Sequence, residues 1–198
     1  MKAVIFDFDG VIHDTFELAY GIHESINSGF SREKFRSNFE GNIFEFIDKK
    51  PNHEIRDKFR ELESEAFKSL RIEHEIRLEL EELSKKFDLY IISSNTTQNL
   101  ATYFENNNFV GIFKEILAAE THKSKVEKFK LLFKKYGLDV GSCIFVTDTL
   151  GDILEGNKVG IKSIACTFGY HDEARLKKGN PFKIVSNFRE IRKVIDSI

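Results

Sequence analysis

The sequence predicts an α/β protein, an open, doubly wound, mainly parallel sheet with an α-helical cap inserted after its first strand. Three observations predict it. Short, nearly continuous apolar runs recur at 3–8, 89–92, 116–119, 143–146 and 161–166, the texture of strands buried on both faces. From residue 87 onward these runs alternate with helical patterns, as βα units do. Between 15 and 86 no strand-like run occurs.

The first strand reads Ala3-Val4-Ile5-Phe6-Asp7-Phe8 and runs into Asp9-Gly10. Helical spacing then relates Phe35, Phe39, Ile43 and Ile47, with a break at Gly41-Asn42. It relates Ile55, Phe59, Leu62, Ala66 and Leu70, and again Ile76, Leu80, Leu83 and Phe87. Roughly four helices fit this stretch. The expected organisation is a core of 1–14 and 87–198 carrying a helical cap at 15–86. In the second half, Val126, Phe129, Phe133 and Tyr136 share a helix face that stops at Gly137. Ile153 to Val159 is a shorter helix before Gly160, and Phe188, Ile191 and Ile195 stripe the last one.

Composition narrows the function. A chain of 198 residues is one domain, or one domain with an insertion. Thirty basic against 32 acidic residues leave a net charge of −2. There is thus no basic field for nucleic acid. The uncharged stretch Leu89 to Phe104 is rich in Ser, Asn, Thr and Gln, so it is no membrane span. Cys143 and Cys166 suggest no disulfide framework, and the first residues do not read as a signal peptide. A cytoplasmic monomer or homodimer is expected.

The chemistry gathers where strands end. Asp7 and Asp9 are two apart, so on a strand they leave on the same side. Two like charges so close raise each other's pKa unless a cation shares them. The second apolar run ends in Ser93-Ser94-Asn95, where hydroxyls and free N–H groups before a helix make an anion site. Beyond the third lies Thr121-His122-Lys123-Ser124, a lysine at a helix start that opposes the helix dipole and calls for nearby negative charge. The fourth ends Thr147-Asp148-Thr149-Leu150-Gly151-Asp152. Open α/β sheets bind ligands at this edge. Asp7, Asp9, Asp148 and Asp152 with Ser93 and Lys123 therefore describe a hard-cation site holding an anionic substrate. Magnesium suits it, taking few carboxylates and bridging to phosphate. His13, Arg36, Asn42, His122 and His171 read as solvated polar residues.

On these motifs the chain resembles the haloacid dehalogenase superfamily. Asp7-Phe8-Asp9-Gly10-Val11 resembles its first motif, Ile91-Ile92-Ser93-Ser94-Asn95 its second, Lys123 its third and Thr147 to Asp152 its fourth. Lys123 is preferred to Lys125 because Phe129 then lies six residues on, where the family usually has an aromatic. The cap resembles that of the phosphoglycolate phosphatase and β-phosphoglucomutase branch. Thr167 to His171 resembles the loop after the family's fifth strand. Thr147 departs from the family's usual Gly or Glu, and no proline follows the lysine. The resemblance implies a magnesium-dependent phosphatase acting on a small phosphorylated metabolite. Asp7 would be the nucleophile that becomes an aspartyl-phosphate. Asp9 would be the general acid and base. Ser93, the Ser94 amide and Lys123 would bind the phosphoryl group. Mg2+ would sit on the Asp7 carboxylate, the Asp9 main-chain carbonyl and Asp148, with Asp152 acting from behind or through water. A sugar phosphomutase and a catalytically silent phosphate-binding module are the alternatives.

Overall fold

Four apolar residues, Ala3–Phe6, open the computed structural model as strand β1, buried at every position. The structure describes residues 1–49 and 52–198. Five helices follow: α1 (Phe16–Ile26), α2 (Arg32–Ser37), α3 (Ile43–Lys49), α4 (His53–Phe67) and α5 (His74–Ser84). The chain continues as β2 (Asp88–Ile92), α6 (Thr97–Asn106), β3 (Glu115–Leu117) and α7 (Lys125–Tyr136). It ends with β4 (Cys143–Thr147), α8 (Leu150–Val159), β5 (Lys162–Cys166), α9 (Glu173–Lys177), β6 (Lys183–Val185) and α10 (Phe188–Asp196).

The strands form one sheet in the order β3-β2-β1-β4-β5-β6, with every pairing parallel. β1 is central, with Phe6 in register with Ile91 of β2 and Val146 of β4. The period-two alternation of a strand sends its side chains into two layers. Val4 and Phe6 pack with Ile91 and Val146 against α5, α6 and α10. Ala3 and Ile5 pack with Tyr90, Ile92 and Phe145 against Phe129 and Leu132 of α7. Because β1 is flanked by β2 and β4, chain order reverses there. The crevice at its carboxyl end is the place for a ligand.

Some elements differ from the sequence expectation. β3 covers 115–117 rather than 116–119, and Asp7 and Phe8 lie beyond the end of β1. β6 and α9 were not expected. A three-residue edge strand and a five-residue helix are too short to show a period. Within the insertion, α5 lies on the sheet, where Ile76, Leu80 and Leu83 join the same core cluster as Phe6. Glu79 and Glu75 of α5 pair with Arg192 and Arg189 of α10. Among the described residues no helix is long and apolar enough to cross a membrane.

Candidate active site

Asp7 continues the β1 ladder by one residue, its N–H donating to the Val146 carbonyl at 2.9 Å. Its carboxylate is buried and accepts the Phe8 N–H at 2.7 Å. The other oxygen lies 2.9 Å from Nζ of Lys125, which also reaches Asp152 at 2.6 Å. Asp152 in turn accepts the Thr147 hydroxyl at 2.8 Å. The three charges are buried together, and their proton affinities diverge. Burial pushes the Asp7 carboxyl well above its ordinary value, against the pull of Lys125. Burial also acts to raise Asp152, but Lys125 and the Thr147 hydrogen bond outweigh it and hold Asp152 low. Burial would lower Lys125, yet the two carboxylates keep it above the usual lysine range. At neutral pH Lys125 is a charged bridge between an ionised Asp152 and Asp7.

After Asp7 the chain turns at Gly10, whose φ of +73° lies in the left-handed region. A Cβ there would stand 1.9 Å from Oδ2 of Asp148. Asp9 stands immediately before this turn. Its carboxylate accepts the Thr15 hydroxyl at 2.8 Å and the Asn95 side-chain amide at 3.1 Å. Burial raises the Asp9 pKa, and these two hydrogen bonds restrain the rise. Asn99 donates to Asn95 at 2.9 Å and to Glu63 of α4 at 3.1 Å. A chain of hydrogen bonds therefore runs from the insertion to Asp9. Burial, reinforced by the Asp9 charge, lifts Glu63 to about 8.

Asp148 follows β4 as Asp7 follows β1. One oxygen accepts the Tyr170 N–H at 2.7 Å, while the other, Oδ1, is buried and has no hydrogen-bond partner. Burial, less the effect of that one bond, lifts its pKa to about 8. A buried carboxylate oxygen with no donor is what a cation would satisfy. Among the described residues, no three or more His, Cys, Asp or Glu side chains make a ready ligand set. Mg2+ takes one or two carboxylate oxygens and keeps its waters, and the open Oδ1 of Asp148 is an oxygen of that kind. The donors present thus fit a small hard cation.

Ser93 is buried just past β2, its N–H on the Leu117 carbonyl at 3.1 Å. Its hydroxyl oxygen accepts the Asn95 N–H at 2.9 Å, leaving the hydroxyl proton to donate. Ser94 follows, half-buried. Lys123 is a correction: it precedes the helix, is exposed, and pairs with Asp48 of α3 at 2.7 Å. The lysine brought to Asp7 is Lys125. Its position on α7 explains this: Lys125, Lys128, Phe129 and Leu132 form the buried face. Counting back one turn from the core residue Phe129 arrives at 125, a signal that the sequence carried. The sequence does not single out Thr15, Asn99 and Glu63, and it marks Asn95 only within the Ser93-Ser94-Asn95 run, without its contact to Asp9.

The insertion is docked over this edge. The Gly151 N–H donates to the Phe39 carbonyl at 3.0 Å, and a Cβ at Gly151 would come within 2.2 Å of the Gly41 oxygen. Asn42 donates to Glu155 of α8 and to the Lys123 carbonyl, each at 3.1 Å. Tyr170 packs edge-on against Phe16 and Phe39. His171 is buried rather than solvated. Its Nδ1 accepts the Leu150 N–H at 2.9 Å, and the resulting tautomer donates from Nε2 to the Arg36 carbonyl at 3.0 Å.

A parallel α/β sheet with this acid-lined edge and a docked helical insertion defines a hydrolase of the haloacid dehalogenase type. The chain belongs to the haloacid dehalogenase-like hydrolase family, whose model matches residues 4–166. It is 26% identical over 98 residues to a phosphoglycolate phosphatase of Synechococcus elongatus, covering 50% of this chain and 46% of that protein. The chain spans about half the length of the curated relatives it matches. A haloacid dehalogenase-like hydrolase of Streptococcus pneumoniae shares the fold with a TM-score of 0.83, at 20% identity over 98% of both chains. A putative β-phosphoglucomutase of Thermotoga maritima does so at 0.75 and 17% identity over the full length of both.

Proposed function

We propose that this protein is a magnesium-dependent phosphatase that hydrolyses a small phosphorylated metabolite through an aspartyl-phosphate on Asp7. The observation that carries the reading is the buried triad in which Lys125 bridges Asp7 and Asp152, beside the unpartnered oxygen of Asp148. The phosphoglycolate phosphatases among the relatives favour a small phosphomonoester.

Asp7, the main-chain carbonyl of Asp9 and Asp148 would hold the ion. Bound there, Mg2+ would neutralise the charge of the phosphoryl oxygens and of the Asp7 carboxylate. An Asp7 oxygen attacks phosphorus, and the bond to the leaving oxygen breaks as Asp9 donates its proton to it. The raised pKa of Asp9 favours that protonated state. Water then attacks the phosphorus of the aspartyl-phosphate, Asp9 takes the water's proton, and inorganic phosphate leaves with Asp7 restored. Lys125, Ser93 and the Ser94 amide bind the phosphoryl oxygens, while Asp152 and Thr147 hold Lys125 in place. Helices α1–α4 would serve as the lid, with Thr15 and Glu63 connecting it to Asp9. The test is hydrolysis of p-nitrophenyl phosphate with Mg2+ and with a chelator. Activity that needs the ion and disappears in Asp7→Asn supports the reading; activity retained in Asp7→Asn contradicts it.

A further inference from the structure

Lys128 is a second fully buried lysine, one turn beyond Lys125 on the same face of α7. Its Nζ donates to the main-chain carbonyl of Ser93. Ser93 lies just past the tip of β2, and its hydroxyl oxygen accepts the N–H of Asn95, the residue that holds Asp9. Lysine is almost never fully buried unless paired, and a buried charge without a counterion is costly. Asp7 and Asp152 are bridged by Lys125. Among the described residues Lys128 makes no ion pair; its hydrogen bond is to a neutral carbonyl. The charged groups around it are Lys125, Asp7, Asp152 and Glu155. Burial and the like charge of Lys125 draw its pKa down to about 7. An anion arriving at the β2 tip would relieve both effects.

We propose that Lys128 is a positioning residue for an anionic phosphoryl group, a second buried cation that acts through Ser93 at the end of β2. This inference rests on the phosphatase reading for its ligand. Packing alone would be met by an apolar residue, as Phe129 and Leu132 meet it on the same face. A mere hydrogen bond to Ser93 would be met by a neutral amide. Asp7 and Asp152 already share Lys125 as their counterion, and Glu155 accepts from Asn42 and the Lys125 N–H, so a second positive charge here answers to negative charge that arrives at the site.

The test compares Lys128→Gln and Lys128→Met with the wild type. Gln keeps a donor for the Ser93 carbonyl and loses the charge, whereas Met loses both. Binding of inorganic phosphate in the presence of Mg2+ is measured by calorimetry, which requires no turnover, and each variant is melted thermally. The expected result is phosphate binding weakened about tenfold in both variants. Gln, which keeps a donor for the Ser93 carbonyl, should melt no lower than the wild type, whereas Met, which leaves that carbonyl without its donor, should melt lower. Gln binding phosphate as the wild type does would overturn the inference, as would a Gln variant whose loss of binding comes with a lowered melting temperature. A wild type that binds phosphate without hydrolysing phosphomonoesters contradicts the proposed reaction and leaves this inference standing. One that binds no phosphate overturns both.

Discussion

Lys125 lies 2.9 Å from Asp7, whereas Lys123, two residues earlier, points away to Asp48. The helix start at Lys125 makes the difference, since its first residue is on the buried face and the residue before the N-cap is not. Lys125→Met should lower turnover of an aryl phosphate by about 10²–10³-fold, and Lys123→Met should leave it within about twofold. Removing Lys125 also strands two buried carboxylates, so the metal-free variant should be destabilised by about 3–5 kcal/mol. Steady-state kinetics and denaturant melts on both variants check this.

The carboxylates at the sheet edge set a pH dependence. Asp148 and Glu63 are lifted to about 8, and burial raises Asp7 and Asp9 as well. The folded chain therefore holds protons that the unfolded chain releases near pH 4, and stability falls as pH rises between about 4 and 8. Without metal, the melting temperature should drop from pH 5.5 to pH 8. Mg2+ should restore more stability at pH 8, where fewer protons compete with it. Asp148→Asn should flatten the metal-free slope and abolish most of the Mg2+ effect. Melting curves at the two pH values, with Mg2+ and with a chelator, measure both.

Gly151 admits the insertion to within contact of α8. A Cβ there would collide with the Gly41 and Phe39 carbonyls, while the α8 backbone can carry alanine without strain. Gly151→Ala should therefore spare the core fold but hold the insertion off. The expected result is a fall in kcat/KM of about tenfold with faster proteolysis within 28–49. Limited proteolysis beside kinetics would show it; unchanged rates in both would contradict it.

Glu63 links the insertion to Asp9 through Asn99 and Asn95. Its negative charge, where ionised, makes the Asp9 proton harder to lose. Glu63→Gln should move the alkaline limb of the kcat/KM profile down by about half a pH unit. A limb that stays in place, or moves up, would contradict the link.

Much of this arrangement is legible in the chain. The apolar runs around Val4, Ile91, Ile116, Phe145 and Ile164 mark five of the six strands because buried parallel strands leave no polar face. The short edge strand around Ile184 does not, since Lys183 is exposed and three residues define no period. Asp7, Asp9, Ser93 and Asp148 stand out because each follows an apolar run, and Asp152 because it lies one helical turn beyond Asp148. Lys125 is hidden behind Lys123 because the six-residue spacing to Phe129 favours the earlier lysine, whereas the buried face of α7 begins at 125. Asn99 and Glu63, and the contact of Asn95 with Asp9, stay hidden for another reason: their meaning comes only from contacts between distant elements. The same holds for α5. Its period is visible, but not that it packs on α10.

The most direct test of the account is to trap the covalent intermediate. The protein is mixed with an aryl phosphate and Mg2+, quenched in acid within the first turnovers, digested, and its peptides are weighed by mass spectrometry. The account predicts one phosphoryl group on the peptide containing Asp7, and none in Asp7→Asn. Turnover with no acyl-phosphate at Asp7 would contradict it, as would a phosphoryl group found on another residue.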